Sequence, residues 1–97
     1  MGHILDSDSV KLMIKAIMTL ENEEECRAFL EDLMTTKEIL DISQRVVVAK
    51  MLSEQAVYNK IAEETGASTA TISRVNRSYS YGTGGYKTVL SRLEKKG

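Results

Sequence analysis

Proline is missing from all 97 residues, so no pyrrolidine ring breaks a helix anywhere in the chain. Cysteine and histidine occur once each, as Cys26 and His3. A single cysteine cannot close an internal disulfide, and with one histidine it cannot hold a metal ion within one chain, so no metal site is expected. The longest uninterrupted apolar run is Val46-Val47-Val48-Ala49. A membrane span needs roughly 20 such residues. The chain does not open on the basic segment and apolar stretch of a signal peptide. Met1-Gly2 begins like a myristoylation site, but Asp6 stands where Ser or Thr is needed. No membrane partner is expected, and the cytoplasm is the expected compartment. Catalysis finds no support: the histidine is terminal and no nucleophile can be placed beside a base, so no catalytic residue is assigned.

A chain of this length reads as one domain over residues 1–97, and so short a chain buries only roughly 60–65% of its unfolded surface. Its 13 basic and 14 acidic side chains give a formal net charge of −1. That sum hides a partition. Residues 1–44 hold 4 basic and 10 acidic side chains, whereas residues 45–97 hold 9 basic and 4 acidic. The second half is therefore suited to an anionic partner, which the total taken alone argues against.

Five of the six glycines lie at or after Gly66, so the first two thirds are almost unpunctuated. Their periodicity is helical. Val10, Met13, Ile14 and Ile17 form one stripe, with Asp6 or Ser7 as its cap. Cys26, Phe29, Leu30 and Leu33 form a second, read as core packing, after an acidic start at Glu23-Glu24-Glu25 that suits a helix dipole. Thr35 with Glu38 has the spacing of a capping box and opens a long helix to about Ser53. That helix carries Ile39, Ile42, Val46 and Ala49 on one side and Leu40, Val47 and Met51 on another. A helix apolar nearly all round needs cover nearly all round, and a partner subunit is the simplest source. Residues 7–53 thus read as dimerisation helices. Val57, Ile61, Ala62 and Thr65 face inward from a short helix, a connector covers 80–85, and a last helix spans about 86–95. The class is all-α, with about six helices.

Residues 57–79, VYNKIAEETGASTATISRVNRSY, carry the function. Two short helices flank Gly66-Ala67-Ser68, the layout of a helix-turn-helix. Gly66 accepts the turn dihedrals, small Ala62 permits a close crossing, and Ser68 caps the second helix. Ile72, Val75 and Tyr79 form an inward stripe. The opposite face holds Thr69, Ala70, Ser73, Arg74 and Arg77: short side chains, hydroxyls and guanidiniums that fit a major groove and its phosphates. From Gly66 onward there are six basic residues and one acid, Glu94. The expected DNA-binding residues are Tyr58, Asn59, Lys60, Ser68, Thr69, Ala70, Thr71, Ser73, Arg74 and Arg77, and the expected partner is double-stranded DNA. A plain helical hairpin would explain Ala62 and Gly66, but not an exposed face so short of Glu and Lys.

Three segments, Met34-Thr35-Thr36-Lys37-Glu38, Gln44-Arg45-Val46 and Gly66-Ala67-Ser68-Thr69-Ala70-Thr71-Ile72-Ser73-Arg74, resemble the Trp repressor superfamily, and more closely its Trp-repressor-related YerC/YecD group. The resemblance covers about Ser9 to Lys95. It implies an intertwined all-helical homodimer whose two reading heads meet half-sites about 34–36 Å apart. It also implies a corepressor pocket. Arg45 and Arg74 match the arginines that sandwich tryptophan in Trp repressor, Thr35 matches a polar contributor, and Ser78 matches a serine near the ligand amine. Val75 stands where that repressor has glycine, and Asp32 replaces an apolar residue. Both count against tryptophan, so the expected corepressor, if any, is another small molecule. Val57 replaces a capping serine and Asn59 a DNA-contacting arginine, which implies a different operator.

Two other functions compete. One is a helical protein-interaction module that never touches DNA, and the other is a replication-initiator-type DNA-binding domain with a similar reading head. Arg45, in mid-helix, reads equally as a salt-bridge partner for an acid. His3 reads as part of a disordered tail, and Lys95-Lys96 as a solvated helix end.

Overall fold

The computed structural model describes residues 2–96, so Met1 and Gly97 of the 1–97 span lie outside the described residues. Among the described residues there are seven helices and no strand. None of these helices is long and apolar enough to cross a membrane. The chain divides into two compact units, Met1–Thr36 and Lys37–Gly97.

The first unit holds α1 (Gly2–Leu5), α2 (Asp8–Met18) and α3 (Glu23–Leu33). The short α1 is the helix beyond the expected six. It contains the backbone of His3, read from the sequence as a disordered tail; the side chains of His3 and Lys96 lie outside the described residues. Ser7 caps α2, its hydroxyl oxygen accepting the Val10 N–H at 3.4 Å. At α3 the capping residue is Asn22, whose Oδ1 accepts the Glu25 N–H at 2.9 Å. Glu25 in return accepts the Glu21 N–H at 2.9 Å. The acidic run thus marks the helix start as expected, but a neutral side-chain oxygen next to it meets the free N–H. Neither α2 nor α3 buries a residue. The apolar stripe of α2 has helical spacing without cover: Met13, Ile14 and Ile17 are all more than two fifths exposed. Cys26, expected in a core, is half-buried.

The second unit holds α4 (Thr36–Ser53), α5 (Tyr58–Thr65), α6 (Thr69–Tyr81) and α7 (Gly85–Lys96). Only one strip of α4 is buried, at Val48 and Ala49. Leu40, Ile42, Val46 and Val47 are exposed, so the long helix is not covered nearly all round within one chain. It ends in a Schellman turn. The Ala56 N–H donates to the Met51 carbonyl at 3.0 Å and the Gln55 N–H to the Leu52 carbonyl at 2.9 Å. Gln55 takes the left-handed position there, at φ 65°, where glycine is the usual occupant.

The core is small and local. Val48 and Ala49 of α4, Ile61 of α5, Ala67 of the turn, and Ile72 and Val75 of α6 are buried together. Met51, Leu52, Ala56, Tyr58, Ala62, Tyr86 and Leu90 pack against them. Val57, expected inside, is 68% exposed, because it stands outside α5 as its N-cap residue. The connector is shorter than 80–85, since α6 continues to Tyr81 and α7 begins at Gly85. Gly82 ends α6 where a Cβ would lie 2.3 Å from the Ser78 carbonyl oxygen, so no other residue fits without moving backbone.

Gly66 and Gln55 share the left-handed region, which costs a residue with a Cβ about 1–2 kcal/mol. A Cβ at Gly66 would meet nothing within 4 Å, so strain alone acts there. Gly66→Ala is expected to lower stability by about 1 kcal/mol, and Gln55→Gly to raise it by roughly 0.5 kcal/mol. Urea denaturation of the two variants checks this, and a loss at both positions would contradict the backbone account.

Candidate nucleic-acid interface

The reading head is built by hydrogen bonds at its turn. Gly66, at φ 73°, closes α5 with its N–H on the Ala62 carbonyl at 2.9 Å. The Thr65 hydroxyl donates to the Ile61 carbonyl at 2.7 Å and accepts the Ala67 N–H at 3.1 Å. That bond holds the turn while Ala67 sinks into the core at 5% exposure. From α4, Gln44 Nε2 donates to the Thr65 carbonyl at 3.1 Å, fastening the end of α5 to the long helix. Ser68 then caps α6, its Oγ accepting the Thr71 N–H at 3.1 Å and donating to the Thr71 hydroxyl at 3.0 Å.

This arrangement sorts the expected DNA-binding residues. Thr69, Ala70, Ser73, Arg74 and Arg77 are all exposed on α6, while Ile72 and Val75 are buried on its other side. Arg74 and Arg77 join no ion pair among the described residues. Asn59 and Lys60 are exposed near the start of α5, and Tyr58 there is half-buried. Ser68 and Thr71 stand apart from the rest. Ser68 spends its proton on the Thr71 hydroxyl and one lone pair on the cap, and Thr71 is half-buried.

Behind α6 lies a pocket of about 480 Å³ between α4, α6 and α7, lined by Asp41, Gln44, Arg45, Thr71, Arg74, Val75, Ser78 and Tyr86. Three of the residues expected around a ligand, Arg45, Arg74 and Ser78, are brought together here; Thr35 precedes α4 in the other unit. Arg45 forms no ion pair among the described residues. The acid of the pocket, Asp41, is bonded instead to Lys37 Nζ at 2.7 Å. That hydrogen bond, with the attraction of the carboxylate, raises Lys37 above the ordinary lysine range. Val75 is 3% exposed, so its methyls belong to both the core and the pocket wall.

Asp41, Gln44 and Tyr86 were not among the expected site residues. Asp41 lies one helical turn before Arg45, so spacing on α4 could have pointed to it. Tyr86 arrives from a different helix after a glycine-rich connector, and no local pattern announces it. Among the described residues no group of His, Cys, Asp and Glu is placed to hold a metal ion.

The family model for Trp repressor protein matches residues 8–94. The uncharacterized protein YerC of Bacillus subtilis (strain 168) is 47% identical over 83 residues, covering 86% of this chain and 80% of that protein. A TrpR-like protein from Eubacterium eligens shares 51% identity at a TM-score of 0.90, with 95% of each chain covered. A candidate Trp repressor from Staphylococcus aureus shares 46% identity at a TM-score of 0.89, over 95% of this chain and 92% of that one.

Ser68 is assigned first as a cap by its two bonds to Thr71. Ser68→Ala is therefore expected to cost about 1 kcal/mol of stability, whereas Ser68→Asp, an equally good cap, keeps it. Thermal melts of both variants check the assignment. Equal melting of wild type and Ser68→Ala would leave Ser68 without a capping role.

Proposed function

The chain belongs to the Trp repressor family, and from that premise we propose that it is a sequence-specific DNA-binding transcriptional regulator, a repressor acting on operator DNA as a homodimer. The observation that carries this reading is the outer face of α6. Thr69, Ala70, Ser73, Arg74 and Arg77 are exposed together, with short side chains at the helix start and unpaired guanidiniums further along. Short residues let backbone approach base edges, hydroxyls bond bases or phosphates, and the methyls of Thr69 and Ala70 suit a thymine methyl. The arginines suit phosphates. Tyr58, Asn59 and Lys60 meet the DNA backbone from α5, and Ser68 and Thr71 act at the turn that orients α6.

The uncovered apolar stripes support the homodimer. Leu12, Met13, Ile14, Ile17 and Met18 of α2 and Leu40, Ile42, Val46 and Val47 of α4 are exposed. Taking such a side chain from full exposure to full burial is worth about 1.5–3 kcal/mol, and each of these would gain the share it still exposes. A second copy supplies that cover and a second reading head. A corepressor, where one acts, sits in the pocket of Arg45, Arg74 and Ser78. Tryptophan is a poor fit there because Val75 forms part of the wall. The same apolar stripes favour a second reading, a helical module that binds another protein and no DNA.

Wild-type chain is expected to bind selected genomic duplexes with an affinity that falls steeply as salt rises. Arg74→Ala with Arg77→Ala is expected to abolish that binding while sedimentation still reports a dimer. Binding with neither salt slope nor sequence preference sinks the regulator, and loss of partner capture without any DNA phenotype favours the module. Titration calorimetry with L-tryptophan is expected to show no binding heat; tight binding would overturn the reading of Val75.

A further inference from the structure

A polar relay joins the two helices of the reading head. The Ser80 hydroxyl on α6 donates to Asn76 Oδ1 at 3.2 Å, and Asn76 Nδ2 donates to the phenolic oxygen of Tyr58 at 3.0 Å. Tyr58 is the first residue of α5. All three side chains are half-buried, and the Tyr58 ring also packs against the core.

The direction of these bonds decides what is left over. An amide N–H only donates, so the phenolic oxygen is the acceptor in its bond to Asn76. The Tyr58 O–H hydrogen is not used in that bond, and the hydrogen bonds among the described residues include none that it donates. Its surroundings favour an anionic acceptor. Val57, the N-cap residue of α5, offers no side-chain oxygen to the helix start. Lys60, two residues beyond Tyr58 on the same helix, is exposed and in no ion pair among the described residues. The acids of α5, Glu63 and Glu64, stand toward its other end.

We propose that Ser80 and Asn76 are positioning residues that hold the Tyr58 hydroxyl as a fixed hydrogen-bond donor to a backbone phosphate of duplex DNA. The proposal rests on the DNA-binding reading of α6. A phosphate oxygen only accepts, which matches a phenol whose accepting side is already occupied. Ring packing and the bond from Asn76 remove most of the freedom that binding would otherwise have to freeze, and successive donors in a chain polarise one another. The first helix of a helix-turn-helix crosses the DNA backbone, so this contact adds affinity without sequence preference.

The test measures affinity of the full chain for a random-sequence duplex at several salt concentrations. Wild type, Tyr58→Phe, Asn76→Ala and the double variant form a cycle. Tyr58→Phe is expected to bind about tenfold more weakly, as for a lost hydrogen bond to a charged group. The salt slope stays unchanged, because no charge is removed. Asn76→Ala is expected to weaken binding by a smaller factor alone and by none in the Tyr58→Phe background. Wild-type affinity in Tyr58→Phe overturns the relay, as does the same loss from Asn76→Ala in both backgrounds, which would mean that Asn76 acts through the fold. If Asn76→Ala does not fold, Ser80→Ala takes its place in the cycle with the same outcomes. Failure of the wild type itself to bind the duplex at low salt removes the DNA-binding function beneath both proposals, an outcome distinct from wild-type binding that Tyr58→Phe leaves intact.

Discussion

Six buried residues aim everything that the second unit presents to solvent. Val48 and Ala49 give α4 a flat strip, Ala67 lets the turn sink onto the core, and Ile61, Ile72 and Val75 lock α5 and α6 over it. The small residues matter as much as the large ones. With Ala67 at 5% exposure and Ala49 at 0%, an added methylene at either place would push helices apart in a close-packed interior. The outer face of α6 follows from this packing. Once Ile72 and Val75 point inward, the helical period places Thr69, Ser73, Arg74 and Arg77 outward.

Much of this was legible in the chain because it is local. The glycine at 66, the serine cap at 68 and the inward stripe at 72 and 75 each act within a few residues, so spacing alone locates them. The reading was incomplete at helix starts, and where neighbours distant in the chain decide. Val57 looks like a core residue by type, yet its place ahead of the first turn of α5 leaves it exposed. Thr71 is half-buried, its hydroxyl accepts from Ser68, and it also lines the pocket behind α6, a second setting that its place in the groove-facing pattern does not announce. Tyr86 reaches that pocket from α7, and Asn76 meets Tyr58 eighteen positions away. Neither pairing has a periodic signature. The faces of α4 were read correctly as apolar, but composition does not say whether cover comes from the same chain.

Charge and apolarity are distributed to suit this division. Acidic side chains crowd the unit of α2 and α3, which bury no residue, and arginines in no ion pair among the described residues lie on α6 and beside the pocket. Asp41 is the one acid among the pocket residues, and Lys37 holds it. The guanidiniums of Arg45 and Arg74 therefore keep their donors for whatever anionic group comes near.

The buried cluster also sets a clock. All its members fall between Val48 and Val75 in the chain, so each contact closes a short loop at modest entropic cost. Topologies of this kind assemble in microseconds to milliseconds. The reading head can thus be complete while the apolar stripes of α2 and α4 are still bare. During that interval the hazard of aggregation lies with those stripes, and it grows with the concentration of newly made chains.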